Sequence, residues 1–133
     1  MGVSFFERMN GRLVDAAGVG HLVDFDVKAE STRIGAALRT GQTRLSGVVR
    51  ILPWAEDAPV SGTLTVSRRR RTVEYVLDFV GESGAALRLL GRKDFDWRHP
   101  LASMTLMDTR LVRRESGADE LATGTMRFDN NDM

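Results

Sequence analysis

Across most of this chain apolar and polar residues alternate one for one. A period of two admits little besides β-strands whose two faces meet different surroundings. In residues 60–67, Val60, Gly62, Leu64 and Val66 alternate with Ser61, Thr63, Thr65 and Ser67. In residues 72–79, Val73, Tyr75, Leu77 and Phe79 form an apolar row, with Glu74 and Asp78 turned the other way. Only Arg68, Arg69, Arg70 and Arg71 separate the two rows. Two alternating strands joined by a short polar connection read as an antiparallel hairpin with an arginine tip.

The same pattern recurs on both sides. Leu45, Gly47, Val49 and Ile51 make one row; Leu87, Leu89 and Gly91 make another, with Arg88 and Arg92 outward. After the turn signal ESGAD, residues 115–119, Ala122, Gly124, Met126 and Phe128 form a last strand. Residues 5–14 and 20–30 also read as extended. Residues 102–114 read as a strand with Met104 and Leu106 opposite Thr105, although Met107 and Leu111 fall on the other parity. One segment departs from the pattern. In STRIGAALRTG, Ser31 is an N-cap candidate, Ile34, Ala37 and Leu38 share a helical face, and Gly41 is a stop, which predicts a two-turn helix.

About eight short antiparallel strands and one short helix in 133 residues predict a single all-β domain spanning residues 1–133. Closing the sheet into a barrel removes its exposed edges. An eight-stranded barrel has an interior that side chains fill, or that holds one small ligand. Gly47, Gly62, Gly91 and Gly124 all fall on the apolar parity. Strand glycines at such places either let the sheet coil tightly or leave room for a ligand.

Composition removes several functions. Nineteen basic and eighteen acidic residues give a net charge of +1, so no global field draws in nucleic acid. All but Lys28 and Lys93 of the basic residues are arginine, as a GC-rich bacterial genome would produce. The absence of cysteine excludes disulfides, thiolate metal sites and cysteine nucleophiles. His21 and His99 show no metal-ligand spacing, and no G-x-S-x-G elbow occurs. MGVSFFERMNGRL has no signal-peptide core and carries Phe6 where myristoylation wants Ser or Thr. No apolar run approaches the roughly 20 residues of a membrane-spanning helix. These features predict a cytoplasmic protein without cofactor or metal.

Phe5, Glu7, Met9 and Gly11 in F-x-E-x-M-x-G spacing, APVSGTL at 58–64, EYVLDFVGESGAALRLLGRKD at 74–94 and GTMRFD at 124–129 together cover most of residues 5–129. In these the chain resembles a lipocalin-like β-barrel module that occurs with or beside cholesterol-oxidase-type GMC oxidoreductases. The resemblance implies an accessory barrel associated with sterol or other lipid metabolism. With no G-x-G-x-x-G and no flavin domain, it implies no oxidase activity and carries no catalytic residues with it.

The candidate ligand-binding residues are the inward Tyr75, Leu77, Phe79, Leu89, Met104, Met126 and Phe128, with Lys93 and Trp54 at presumed rims. RKDFDWRHP, residues 92–100, is the densest cluster of functional groups. Lys93 keeps the inward parity of Leu89 and Gly91, where an ammonium could hold a carboxylate or polarise a carbonyl. A polar turn with Trp97 packed over the barrel end is the plainer reading. ILPWAEDAPV, residues 51–60, reads as a second rim loop with Trp54 near an opening or capping the core. Tyr75, the single tyrosine, needs a hydrogen-bond partner if buried. The arginine run reads as a solvated tip, with docking on an acidic partner or an anionic membrane surface as the lesser alternative, because Tyr75 and Phe79 point inward and cannot stack on bases.

Three functions remain open. The first is a non-catalytic barrel for a hydrophobic sterol-like or lipid-like molecule. The second is a small enzyme for isomerisation or cyclisation using Lys93, Tyr75, Asp94 or His99. The third is a module that docks on an oxidoreductase or forms a homodimer.

Overall fold

The computed structural model describes residues 3–31, 42–67, 69–94, 106–115 and 120–128. They form eight strands: β1 (Val3–Asp15), β2 (Gly20–Ser31), β3 (Gln42–Ile51), β4 (Ala55–Ser67), β5 (Thr72–Val80), β6 (Ala86–Asp94), β7 (Leu106–Arg113) and β8 (Glu120–Phe128). Each pairs antiparallel with the next, and β8 pairs back onto β1, so the sheet is a closed barrel. No helix occurs among the described residues. Ser31, the expected N-cap, ends β2 instead, and the rest of the expected helix lies outside the described residues.

The predicted inward rows of β3, β5, β6 and β8 point into the core. Leu45, Val49, Ile51, Val73, Tyr75, Leu77, Phe79, Leu87, Leu89, Ala122 and Met126 are all buried. β1 and β2 contribute Met9, Leu13, Val23, Phe25, Val27 and Ala29. Two expectations need correction. β7 buries Met107, Thr109 and Leu111, whereas Leu106 is 48% exposed. The inward parity there is the opposite of the Met104–Leu106 row, and Met104 itself lies outside the described residues. Periodicity could not decide, because both parities of this strand carry apolar residues. The supposed rim loop 51–60 is mostly strand: β4 starts at Ala55 and pairs with β3 from Ile51↔Ala55 onward.

The glycines answer their own question. A Cβ at Gly62 would strike the carbonyl oxygen of Val76 on β5, and one at Gly47 that of Asp26 on β2. At Gly124 the obstacle is the carbonyl of Arg12 on β1. These positions let neighbouring backbones close up as the sheet coils, so the space a side chain would need is occupied by backbone.

The outward face is charged. Glu74, Arg92 and Asp108 lie directly across from one another on β5, β6 and β7, followed by Thr125 on β8. Arg8 pairs with Asp26 at 2.6 Å, Arg88 with Asp78 at 2.7 Å, and Arg110 with Glu120 at 2.9 Å. Apolar side chains also face outward among the described residues, Phe6, Leu22, Val80 and Leu106 being the most exposed on the strands.

Candidate functional site

Strand order divides the connections between two ends. The turns after β1, β3, β5 and β7 lie at one end, near Trp54. The ends of β2, β4 and β6 lie at the other, with Lys93. Trp54 and Lys93, both expected near an opening, are therefore at opposite ends of the barrel.

At the Trp54 end the turns are tied together. His21 Nε2 lies 2.8 Å from Asp15 Oδ2, its Nδ1 lies 3.1 Å from the Leu52 carbonyl, and its ring packs 4.5 Å from that of Trp54. The Glu82 N–H donates to the Trp54 carbonyl at 2.7 Å, and the Glu56 N–H donates to Glu82 Oε1 at 3.1 Å. Arg114 donates to the Phe79 carbonyl at 3.1 Å. Trp54 is half-buried and packs against the core.

The other end holds the unusual chemistry. Among the described residues, Thr72, Lys93 and Thr109 are the buried polar side chains. Thr109 uses its hydroxyl on the Met107 carbonyl, 3.1 Å away. Lys93 is 2% exposed, because two steps past Gly91 its side chain follows Leu87 and Leu89 into the interior. Its Nζ donates to Tyr75 Oη at 3.3 Å and lies 5.0 Å from the centre of the Tyr75 ring. The Tyr75 ring meets Phe25 of β2 with centroids 6.5 Å apart, so two aromatic side chains span the mid-barrel. Met9, Met107 and Met126, all fully buried, belong to the adjoining strands β1, β7 and β8, with Met107 directly opposite Met126. The Met107 thioether also lies over Gly91, filling the place of its missing side chain.

Lys93, Tyr75, Leu77, Phe79, Leu89 and Met126 are thus all buried in the barrel interior. Phe128 ends β8 opposite Met9. Asp94 points outward, exposed, and pairs with Arg92 at 3.2 Å, so it does not join Lys93. His99 lies outside the described residues, as does the rest of 95–105. Met9, Met107, Thr109 and Phe25 were not among the expected residues. Met9 could have been found, since it shares the parity of Gly11 and Leu13; Met107 required knowing the face of β7.

A groove of about 680 Å³ lies on the outside of β5–β8, between the outward side chains of Glu74, Val76, Leu90, Arg92, Asp108 and Arg110. It is separated from Lys93 by the sheet itself, and its walls carry mixed charge on exposed side chains. The buried pair is the stronger candidate, because a polar group withdrawn from water needs a reason that a solvated one does not.

No family model, curated protein or solved structure matches this chain, and nothing in these comparisons links it to GMC oxidoreductases.

Proposed function

We propose that the protein binds a hydrophobic, sterol-like or lipid-like small molecule inside the barrel, in a lipocalin-like manner, entering from the Lys93 end. The observation that carries this reading is the burial of Lys93 against Tyr75 in an interior otherwise walled by aliphatic, aromatic and methionine side chains and two threonines, Thr72 and Thr109. Burying an ammonium costs several kcal/mol before its partners are counted. A barrel that needed only a core would do as well with leucine there. A donor pair at one end of an apolar interior suits a ligand with a greasy body and one oxygen-bearing head.

Room for such a ligand comes from side-chain repacking. Methionine is unbranched, with several rotatable bonds, and adapts to irregular shapes. Met9, Met107 and Met126 supply that adaptability beside Lys93, and the tied turns of the Trp54 end hold the opposite end firm. The charged outer face suits a barrel surrounded by water, consistent with a cytoplasmic carrier.

The same pair favours a second reading, proton transfer by Lys93 and Tyr75 during an isomerisation or cyclisation. Asp94 gives that reading no support, since it faces away.

The test is native mass spectrometry of the freshly purified chain, followed by denaturation and organic extraction, and titration with sterols, steroids and fatty acids. A mass excess that leaves with an organic-soluble compound, reduced in Lys93→Met and Tyr75→Phe, is the expected result. A bare mass that none of these compounds shifts would overturn the reading and favour the docking module. Conversion of a bound compound, lost in Tyr75→Phe, would favour the enzyme.

A further inference from the structure

We propose that the β4–β5 hairpin tip docks the Lys93 end of the barrel onto an anionic lipid surface. Arg69, Arg70 and Arg71 are consecutive and all exposed, in the turn between Ser67 and Thr72. None of the three makes an ion pair among the described residues, whereas Arg8, Arg88, Arg92 and Arg110 on the barrel wall each face a carboxylate. The tip therefore presents three guanidinium groups whose charge is not already matched by a neighbour.

At the base of the tip one apolar side chain is open to solvent, although Val73 and Thr72 on the facing strand are buried. Along β4 the inward row is buried at Val60 (5%) and Leu64 (7%), yet Val66 is 44% exposed. An apolar side chain beside a row of arginines is the composition that settles at a headgroup boundary, where cations meet lipid phosphate and aliphatic groups sink below it. The opposite end carries both signs, with Asp15, Glu56, Asp57 and Glu82 on or beside its turns together with Arg114. The exposed arginines of the tip would turn the Lys93 end toward an anionic surface. Nucleic acid fits less well. The aromatics of this hairpin, Tyr75 and Phe79, are buried in the core and offer no platform for bases.

The inference goes beyond the ligand reading and stands without it, because it concerns the tip and not the interior. The experiment is co-sedimentation of the full chain, without added ligand, on phosphatidylcholine vesicles with and without a phosphatidylserine fraction. Two variants accompany the wild type. In one, Arg69→Ser and Arg70→Ser are combined with Arg71→Asn, asparagine being chosen because Arg71 has φ +56°. In the other, all three become lysine.

The wild type and the lysine variant are expected to sediment with phosphatidylserine vesicles and to be released by salt. The neutral variant should bind on the order of a hundredfold more weakly, each arginine contributing about fivefold. Equal binding to both vesicle types, or no loss in the neutral variant, would overturn the proposal. So would tighter binding to duplex DNA than to anionic vesicles at the same ionic strength. Absence of a bound lipid in the purified protein would not, and that result would bear on the ligand reading alone.

Discussion

Asp15 Oδ2 accepts a hydrogen bond from His21 Nε2 at 2.8 Å, joining the end of β1 to the start of β2. Both residues are only partly exposed, and Asp15 Oδ1 also accepts from the backbone N–H groups of Ala17 and Val19. The hydrogen bond from His21 is the main influence holding the Asp15 carboxyl below its ordinary value of 3.8, followed by that from Val19 N–H, with partial burial opposing. A carboxylate favoured by folding adds stability that is complete above its ordinary pKa and is lost as pH falls through the lower, folded one.

Thermal unfolding should therefore lose part of its stability as pH drops below about 4. In Asp15→Asn that part of the pH dependence should disappear, leaving the variant less stable than wild type at neutral pH and closer to it in acid. Melting curves across this range decide the matter; parallel profiles for the two proteins would contradict it.

Substitution of the glycines should separate two kinds of constraint. In Gly62→Ala the new methyl meets the Val76 carbonyl, which is backbone and cannot turn aside. The expected cost is about 3 kcal/mol, or failure to fold. Gly84 has open space around it but φ +83°, so Gly84→Ala should cost only about 1 kcal/mol. Urea titration of both measures the difference.

The face of β7 can be tested by two leucines. Leu111 is fully buried, and Leu111→Ala should destabilise by about 2–5 kcal/mol. Leu106 is 48% exposed, and Leu106→Ala should change stability by less than about 0.5 kcal/mol. The reverse order in denaturant midpoints would mean that the row containing Leu106 faces the core.

Removing the Tyr75 hydroxyl takes away an acceptor from a buried ammonium. Tyr75→Phe should cost about 1–3 kcal/mol. A double-mutant cycle with Lys93→Met should give a coupling of about 0.5–3 kcal/mol, because in the absence of the ammonium the phenol loses that partner. Additive effects would show that the 3.3 Å contact contributes nothing.

Much of the barrel is legible in local pattern. Val73, Tyr75, Leu77 and Phe79 announce their face because Glu74 and Asp78 sit between them, and the structure buries all four. Lys93 is readable by the same parity, as an extension of Leu87, Leu89 and Gly91. β7 is not, since its apolar residues occupy both faces and only pairing with β6 and β8 selects Met107, Thr109 and Leu111.

What the amino-acid sequence determined by itself was the strand pattern, the hairpin with its arginine tip, and the inward course of the row ending at Lys93. These follow from alternation, which is a property of neighbouring residues. Only the tertiary structure decided the rest. Antiparallel pairing of each strand with the next placed Trp54 and Lys93 at opposite ends, coiling of the sheet set backbone carbonyls against Gly47, Gly62 and Gly124, and Asp94 was turned from Lys93 toward Arg92. Each of these depends on register between residues distant along the chain, and a period of two carries no information about which strand lies beside which.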